Sequence, residues 1–479
     1  MSTLNRFFKD TAIYGLATVI PRLMTFVLAP IQISALTTTS YSENTTFYIW
    51  AAFFNVILTF GMETAFFRFF SRSEKKGDVF STAFISLTLS TLIFLGVILL
   101  FKESIVTLVD LRPEFFNLLL GVLILDTLVV IPFAYLRALN QPGKFTLIKI
   151  ANVLILTLIN IIYLWYIPNY TESVPGFLLE TFDGNNLVQY VFWANFVASG
   201  VTFLLLLPYF FKTRLVFSIS IFKKLWHYGW PVMIAGVAFI INEMFDKLVL
   251  KELISEEIMG AYAGCYKLAI FMAIYIQAFR LGAEPFFFNQ YNNKNAKLIY
   301  AEILKYFVIV GSLMLVFLVA FLDFFKVLIV PDEDYWVTIG IVPIILLANL
   351  FLGIYHNLSI WYKLTDKTRV GMYISLFGAV ITIGLNLWLV PIAGFMAAAW
   401  ATLAAYGSMM VISYILGRKY YPVPYNLGKI SLYLLISVVF SFISFNFFRE
   451  DYVAGTAFVI LFLASIIFLE KKELRRLMS

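Results

Sequence analysis

Charged residues inside long apolar segments are the residues of this 479-residue chain best placed to do chemistry. A charge at mid-bilayer depth costs on the order of 3 kcal/mol on insertion scales, so it usually faces a water-filled cavity or a partner. Such positions favour ligand binding or ion coupling over catalysis. Ten residues form this set: Arg22, Arg68, Lys247, Lys267, Arg280, Glu63, Asp126, Glu243, Asp246 and Glu284.

The basic members predict an anion site. Arg22 and Lys267 have no acidic residue within one turn of the same segment. Two cations in a hydrated cleft suit a phosphate ester, which an arginine can bind through two hydrogen bonds. Arg68, Lys247 and Arg280 are further candidates for the same headgroup. We also expect a kink beside Arg22, because a proline precedes it.

The acidic members allow two interpretations. They neutralise nearby cations, or they couple transport to Na⁺ or H⁺, with Glu63 and Asp246 as candidates. The spacing favours i,i+4 pairs for some of them. The expected pairs are Glu243 with Lys247, Arg280 with Glu284, and Arg22 with Asp126 or Glu63.

Composition identifies the elements that must position these charges. The chain is 61% hydrophobic and only 13% charged, which is typical of a membrane protein. The net charge of +7 is spread along many turns, so we expect no nucleic-acid partner. A single cysteine, Cys265, excludes a disulfide framework. The sequence contains no metal-ligand cluster, phosphate loop or nucleophile motif, so we expect a transporter without cofactor, metal or catalytic residues, not an enzyme.

About 20 apolar residues cross a bilayer as one helix. The sequence therefore predicts an all-α polytopic protein with about 14 transmembrane helices. The expected spans are 11–35, 46–69, 80–101, 114–136, 145–166, 187–211, 226–250, 258–283, 300–323, 335–357, 371–390, 394–416, 428–447 and 452–469.

The gaps between the predicted spans are alternately rich and poor in basic residues, and this alternation predicts the orientation of the chain in the membrane. One set of gaps holds about 25 of the 35 Lys and Arg residues, and the other holds about 6. Short loops rich in Lys and Arg stay cytoplasmic, so both termini are expected inside.

A weak internal repeat divides the chain. Tyr14-Gly15 and Pro21 in the first span are echoed by Tyr228-Gly229 and Pro231 in the seventh. Six helices per repeat give both copies one orientation. We expect an N-terminal lobe over 1–211, a C-terminal lobe over 212–425, and an appended helix pair with a cytoplasmic tail over 426–479.

Several stretches resemble the Wzx-like flippases of lipid-linked polysaccharide repeat units, within the multidrug/oligosaccharidyl-lipid/polysaccharide exporter superfamily. The similarity covers about residues 11–425. It rests on GLATVIPRLMTFVLAP, LTFGMETAFFRFFSR, INEMFDKLVLKEL, YKLAIFMAIYIQAFRLGAEPFFF, NLSIWYKLTDKTRVG and LGRKYYPVPY.

The resemblance implies two six-helix lobes around a cavity that opens alternately to each side of the bacterial inner membrane. Its substrate class is an oligosaccharide on undecaprenyl pyrophosphate, used for lipopolysaccharide O-antigen, capsule or exopolysaccharide. Membrane lipids and the polysaccharide polymerase or chain-length machinery would be its partners. The cations listed above would hold the pyrophosphate, although Lys247 stands where this family more often has arginine. Sugar contacts are expected from Asn152, Asn160 and Gln277.

Relatives of the same superfamily supply the alternatives. Peptidoglycan-precursor flippases have fourteen helices, the last two forming a groove for the lipid tail, which by analogy assigns that role to residues 428–469. A multidrug or cation antiporter needs an acidic cavity, whereas Arg22 and Lys267 make this one cationic. A membrane glycan polymerase or ligase carries its catalytic residues in a large external loop, and the longest external gap here has about twenty residues.

Overall fold

The computed structural model describes residue 24 and residues 26–139, 141–210, 214–291, 293–365 and 367–471. Of residues 281, 285, 289 and 368 it describes the backbone alone. Arg22 and most of the first predicted span lie outside the described residues.

Helices account for nearly all of the regular structure in the described chain, and no strand occurs there. A helix satisfies its own backbone hydrogen bonds, which hydrocarbon requires of a spanning segment. The helices are α1 (Phe26–Ala35), α2 (Thr38–Thr59), α3 (Met62–Phe70), α4 (Lys76–Leu100), α5 (Lys102–Val109), α6 (Pro113–Ala138), α7 (Pro142–Asn160), α8 (Ile167–Asn169), α9 (Gly176–Leu179), α10 (Val188–Phe210), α11 (Ile219–Leu253), α12 (Glu256–Tyr266), α13 (Ile270–Gln290), α14 (Ala296–Ala320), α15 (Leu322–Ile329), α16 (Val342–Leu358), α17 (Ile360–Leu364), α18 (Thr368–Tyr420), α19 (Leu427–Phe447) and α20 (Tyr452–Leu469).

Within the described residues, eleven helical segments are long and apolar enough to cross a membrane. This confirms an all-α, multi-pass architecture. The total of fourteen helices and the inside position of both termini stay predictions.

One of the eleven segments, Arg369–Tyr420, contains a reversal. Gly394 has φ 64° and ψ −153°, which is not helical. Residues on the two sides of it meet again, because a Cβ on Gly378 would touch the side chain of Met409. The two halves of α18 therefore form an antiparallel hairpin, which agrees with the two separate spans expected over 371–390 and 394–416.

Breaks in two helices lie close to predicted site residues. Between α2 and α3, Phe60 and Gly61 adopt positive φ values of 33° and 70°. Between α12 and α13, residues Lys267–Ala269 form a 3-10 turn. The helix after each break, α3 or α13, is followed by a long helix, α4 or α14, and then by a short one, α5 or α15.

The described residues form two compact units that divide after Ile240, inside α11. We call them the N-terminal unit and the C-terminal unit. The N-terminal unit has an aromatic core that includes Phe66, Phe80 and Phe84. In the C-terminal unit, α16 packs along both halves of α18 through residues such as Tyr355 and Tyr406.

Candidate functional site

A polar cavity of about 380 Å³ lies inside the N-terminal unit. Helices α2, α3, α6, α7 and α10 form its wall. Two of the predicted acidic site residues, Glu63 and Asp126, face it. The remaining polar lining is Asn55, Arg137, Lys149, Asn152, Asn195, Ser199 and Thr202.

An ion pair occupies one end of this cavity. The Arg137 Nη1 donates to the Glu63 Oε1 at 2.9 Å, and both side chains are nearly half exposed. Arg137 also lies over the ring of Phe67, 4.7 Å from its centroid. The expected pairing of Glu63 with Arg22 falls outside the described residues, and Arg137 was not foreseen as a partner.

Asp126 and Lys149 lie deeper in the same cavity. They attract each other, but within the described residues neither belongs to a direct ion pair. The Lys149 ammonium lies 4.5 Å from the centroid of the Phe133 ring and donates no hydrogen bond to another described residue. Ser199 is the other polar neighbour of Asp126. The cavity thus presents a carboxylate and an ammonium that a ligand could join.

Helical spacing was the signal that could have found this cavity. On α6 the lining residues are 126, 129, 130, 133 and 137, and on α7 they are 145, 149, 152 and 156. Steps of three and four residues put each set on one helix face. Arg137 and Lys149 both lie in helices and line the cavity, although neither was among the predicted site residues.

A second charged cluster lies in the C-terminal unit, where one expected ion pair is wrong. The Lys247 Nζ contacts the Asp246 carboxylate at 3.0 Å and donates to the backbone oxygen of Glu243. The Glu243 carboxylate instead accepts a hydrogen bond of 2.6 Å from the hydroxyl of Tyr406. Tyr262 completes the cluster by donating to Asp246 at 3.0 Å. A tyrosine distant in sequence therefore replaces the i,i+4 pairing of Glu243 with Lys247.

Lys267 lies at the break between α12 and α13 and is half-buried. Its side chain forms no hydrogen bond or ion pair with any described residue, and the charged neighbour that acts on it is another cation, Lys247. Asp246 already binds Lys247, so the charge on Lys267 is uncompensated by these residues.

The expected pair of Arg280 and Glu284 is present at 3.5 Å, but it is shared. Lys363 of α17 binds the same carboxylate at 2.7 Å. The Arg280 Nε has no hydrogen-bond partner in the described chain. This group carries one positive charge in excess.

The other predicted residues are dispersed. Arg68 is exposed and lies 4.5 Å from the centroid of the Tyr228 ring. Asn160 is fully buried and accepts a hydrogen bond from Gln32, so it joins helices instead of facing the cavity. Asn152 lines the cavity and donates to Thr202 at 3.0 Å. Gln277 is half-buried in α13.

An apolar groove of about 250 Å³ is present in the C-terminal unit. It lies between α19 and helices α14, α16 and α18, and its lining includes Leu315, Leu347, Trp400, Val438 and Phe442. No group of three or more metal-ligating side chains occurs in the described parts of the chain.

The family model described as polysaccharide biosynthesis protein matches residues 7–283, which is more than half of the chain. The chain belongs to this family. A second family model, MatE, matches residues 231–388. The resemblance seen in the sequence is thereby confirmed, and the eleven long apolar helical segments of the described residues make the protein a multi-pass membrane protein. No curated protein matches the sequence significantly.

Solved structures show the same fold. The lipid II flippase MurJ in an inward closed conformation superposes with a TM-score of 0.75 at 15% identity, covering 96% of this chain and 99% of that one. An inward-facing multidrug resistance MATE family transporter of the MOP superfamily gives 0.65 at 13% identity, covering 87% and 98%. A MOP superfamily transporter from Pyrococcus furiosus, described as having a binding pocket of reversed polarity, gives 0.59 at 13% identity, covering 89% and 95%.

Proposed function

We propose that this protein is a flippase for lipid-linked oligosaccharides. It moves undecaprenyl-pyrophosphate-linked repeat units from the cytoplasmic to the periplasmic leaflet of a bacterial inner membrane by alternating access. The product serves synthesis of a surface polysaccharide such as O-antigen, capsule or exopolysaccharide. Membership of the polysaccharide biosynthesis protein family supports this substrate class.

The uncompensated charge of Lys267 is the observation that carries the proposal. An ammonium without a counter-ion in a spanning helix is expensive unless a ligand binds it. The 3-10 turn at Lys267–Ala269 interrupts the helix at the same point. A pyrophosphate is the anion that the substrate class provides, and a lysine binds phosphate as a compact point charge.

Charge balance argues against an organic-cation antiporter. In the N-terminal cavity two carboxylates face two cations. In the C-terminal unit, Glu243 and Asp246 accompany Lys247 and Lys267, and Glu284 is outnumbered by Arg280 and Lys363. None of these three groups is acidic overall, whereas binding of a cation needs an excess of negative charge.

The apolar groove beside α19 suits the lipid part of the substrate. The sugar headgroup needs a hydrated cavity, while the polyprenyl chain gains nothing by leaving an apolar environment. We propose that the tail rests against α19 in this groove during transport.

Complementation tests the proposal in cells that lack the protein. We expect single lipid-linked repeat units to accumulate on the cytoplasmic leaflet and the wild-type gene to relieve this. Lys267→Met should translocate about 10-fold to 100-fold more slowly, because one charge-assisted contact is lost. Lys267→Arg should retain most of the activity. Lys102→Met, at an exposed position on α5, is the matched control.

Stability measurements separate a binding role from a structural one. Lys267→Met should unfold at the same temperature as wild type or a higher one, because an uncompensated, half-buried charge is removed. The flippase proposal is overturned if cells that lack the protein accumulate no lipid-linked repeat units and make normal surface glycan. Full activity of Lys267→Met would remove Lys267 from the binding site.

A peptidoglycan-precursor flippase is the second candidate, because the fold superposes on MurJ over 96% of the chain. Both substrates share the pyrophosphate headgroup. Mass spectrometry of the accumulated lipid decides between them, since only the second candidate predicts a build-up of peptidoglycan precursor.

A further inference from the structure

We infer that the polar cavity of the N-terminal unit binds one or two uncharged sugar rings of the transported headgroup. This inference rests on the proposed function, because it names the part of that substrate which the cavity takes. The cavity is thereby assigned a class of ligand, and Asp126 and Lys149 are assigned the contacts that select this ligand.

The size of the cavity sets the first limit. Its volume of about 380 Å³ is near the lower end of the range of roughly 300–1,000 Å³ found for small-molecule sites. Asp126 and Arg137 are eleven residues apart on α6, so the polar wall extends about 16 Å along that helix at 1.5 Å per residue. A site of this size takes one or two rings and leaves the rest of a repeat unit outside.

The chemistry of the lining sets the second limit. Sugar hydroxyls both donate and accept hydrogen bonds. The cavity offers the Asp126 carboxylate as acceptor, the Lys149 ammonium as donor, and the amides of Asn55 and Asn152 for either role. Asp126 and Lys149 both line the cavity and attract each other without a direct ion pair, so we expect a hydroxyl-bearing ring to bridge them.

The charge of the lining sets the third limit. Glu63 and Arg137 neutralise each other at 2.9 Å, and Asp126 balances Lys149. A uronic acid would bring one uncompensated negative charge into a site whose cations already have carboxylate neighbours. An uncharged sugar leaves the balance intact, so the cavity discriminates against acidic rings.

Saturation-transfer NMR on the full-length protein tests the inference directly. The protein is placed in lipid nanodiscs without sugar-based detergent, and the probes are glucose, galactose, N-acetylglucosamine and glucuronate at equal concentration. We expect transfer to at least one uncharged sugar and at least threefold less to glucuronate. Asp126→Asn should reduce transfer at least fivefold, because a charge-assisted hydrogen bond becomes a neutral one.

Two further variants make the result decisive. Lys149→Met should also lose at least fivefold, so the inference stays testable if Asp126→Asn does not fold. Glu103→Gln, at an exposed position on α5 away from the cavity, should bind as wild type does. The inference is overturned if no uncharged sugar binds. It is also overturned if glucuronate binds equally well, or if both cavity variants bind sugar as wild type does. If complementation succeeds but these sugars do not bind, only the sugar site is refuted. If the wild-type gene fails to complement, the flippase proposal itself is refuted.

Discussion

Two lysines of the C-terminal unit show how surroundings decide the role of a charge. Lys247 is almost fully buried and held by Asp246 and by the ring of Tyr266, 4.0 Å from its centroid. Lys267 is half-buried and has no acidic partner among the described residues. The first lysine is satisfied within the protein, so the second is the one that we propose for ligand binding.

At the residue scale, the ionisation of Asp323 makes the stability of the protein depend on pH. It lies in α15, outside the spanning segments, and is 7% exposed. Burial alone would raise the pKa of its carboxyl, but bonds from Lys326 at 2.7 Å and Arg449 at 3.1 Å outweigh this effect. The pKa therefore lies below its usual value of 3.8. A depressed pKa stabilises the fold above about pH 4 and loses that contribution as the pH falls through the folded value.

We expect Asp323→Asn to lower the free energy of unfolding by about 1–2 kcal/mol at pH 7. The difference between variant and wild type should shrink as the pH falls below 4, because the wild-type carboxyl is then protonated too. Thermal unfolding of both proteins between pH 7 and pH 3 measures this. A difference that stays constant over the whole range would contradict the assigned role.

At the scale of elements, α11 crosses the break between α2 and α3 so closely that the two backbones are in contact. A Cβ on Gly229 would lie 2.7 Å from the carbonyl oxygen of Phe60, and a Cβ on Gly61 would overlap the carbonyl oxygen of Gly229. Gly61 also has φ 70°, a conformation that suits glycine. The two glycines let the helices approach as closely as small residues do in other membrane proteins.

Gly229→Ala should lower stability by about 1–3 kcal/mol, because the added methyl group meets backbone that cannot rotate away. Thermal unfolding in detergent measures the loss. Gly96→Ala is the matched control, since a Cβ there has open space around it, and alanine favours a helix by roughly 0.8–1 kcal/mol over glycine. Equal stability of the two variants would show that the close crossing is not required.

Two charged clusters join the α19–α20 pair to the C-terminal unit. Glu470, just after α20, accepts from Lys305 at 3.2 Å, Lys429 at 2.9 Å and the Tyr433 hydroxyl at 2.9 Å. Arg449, between α19 and α20, binds Asp323. Because both ends are fixed and α19 packs along α14, the pair is an integral part of this unit.

At the scale of the whole molecule, orientation in the membrane follows from charge in the loops. The alternation of basic gaps predicts that Ser73 faces the cytoplasm and Asp183 the periplasm. The native Cys265 is buried and gives little background reaction with a thiol reagent.

Labelling of intact cells with a membrane-impermeant maleimide should therefore modify Asp183→Cys. Ser73→Cys should react only after the membrane is made permeable. Cys265→Ala serves as the background in both cases. The opposite pattern of labelling would invert the predicted orientation, and reaction of both sites from outside would contradict the predicted number of spans between them.

The sequence by itself determined the class of the protein. Runs of about 20 apolar residues must be helical in hydrocarbon, whatever their neighbours are. The tight reversal near Gly394 and the pair of Arg280 with Glu284 were likewise predictable, because turn residues and i,i+4 spacing act locally. The family was readable from stretches such as INEMFDKLVLKEL.

Only the tertiary structure decided which charges act together. Glu243 binds Tyr406, 163 residues away, and Glu63 binds Arg137 from another helix. A sequence fixes which residues share one helix face, but the rotation of each helix against its neighbours depends on packing of the whole unit. For that reason the cavity of Asp126 and Lys149 was not foreseen, although each of its walls has a regular helical spacing.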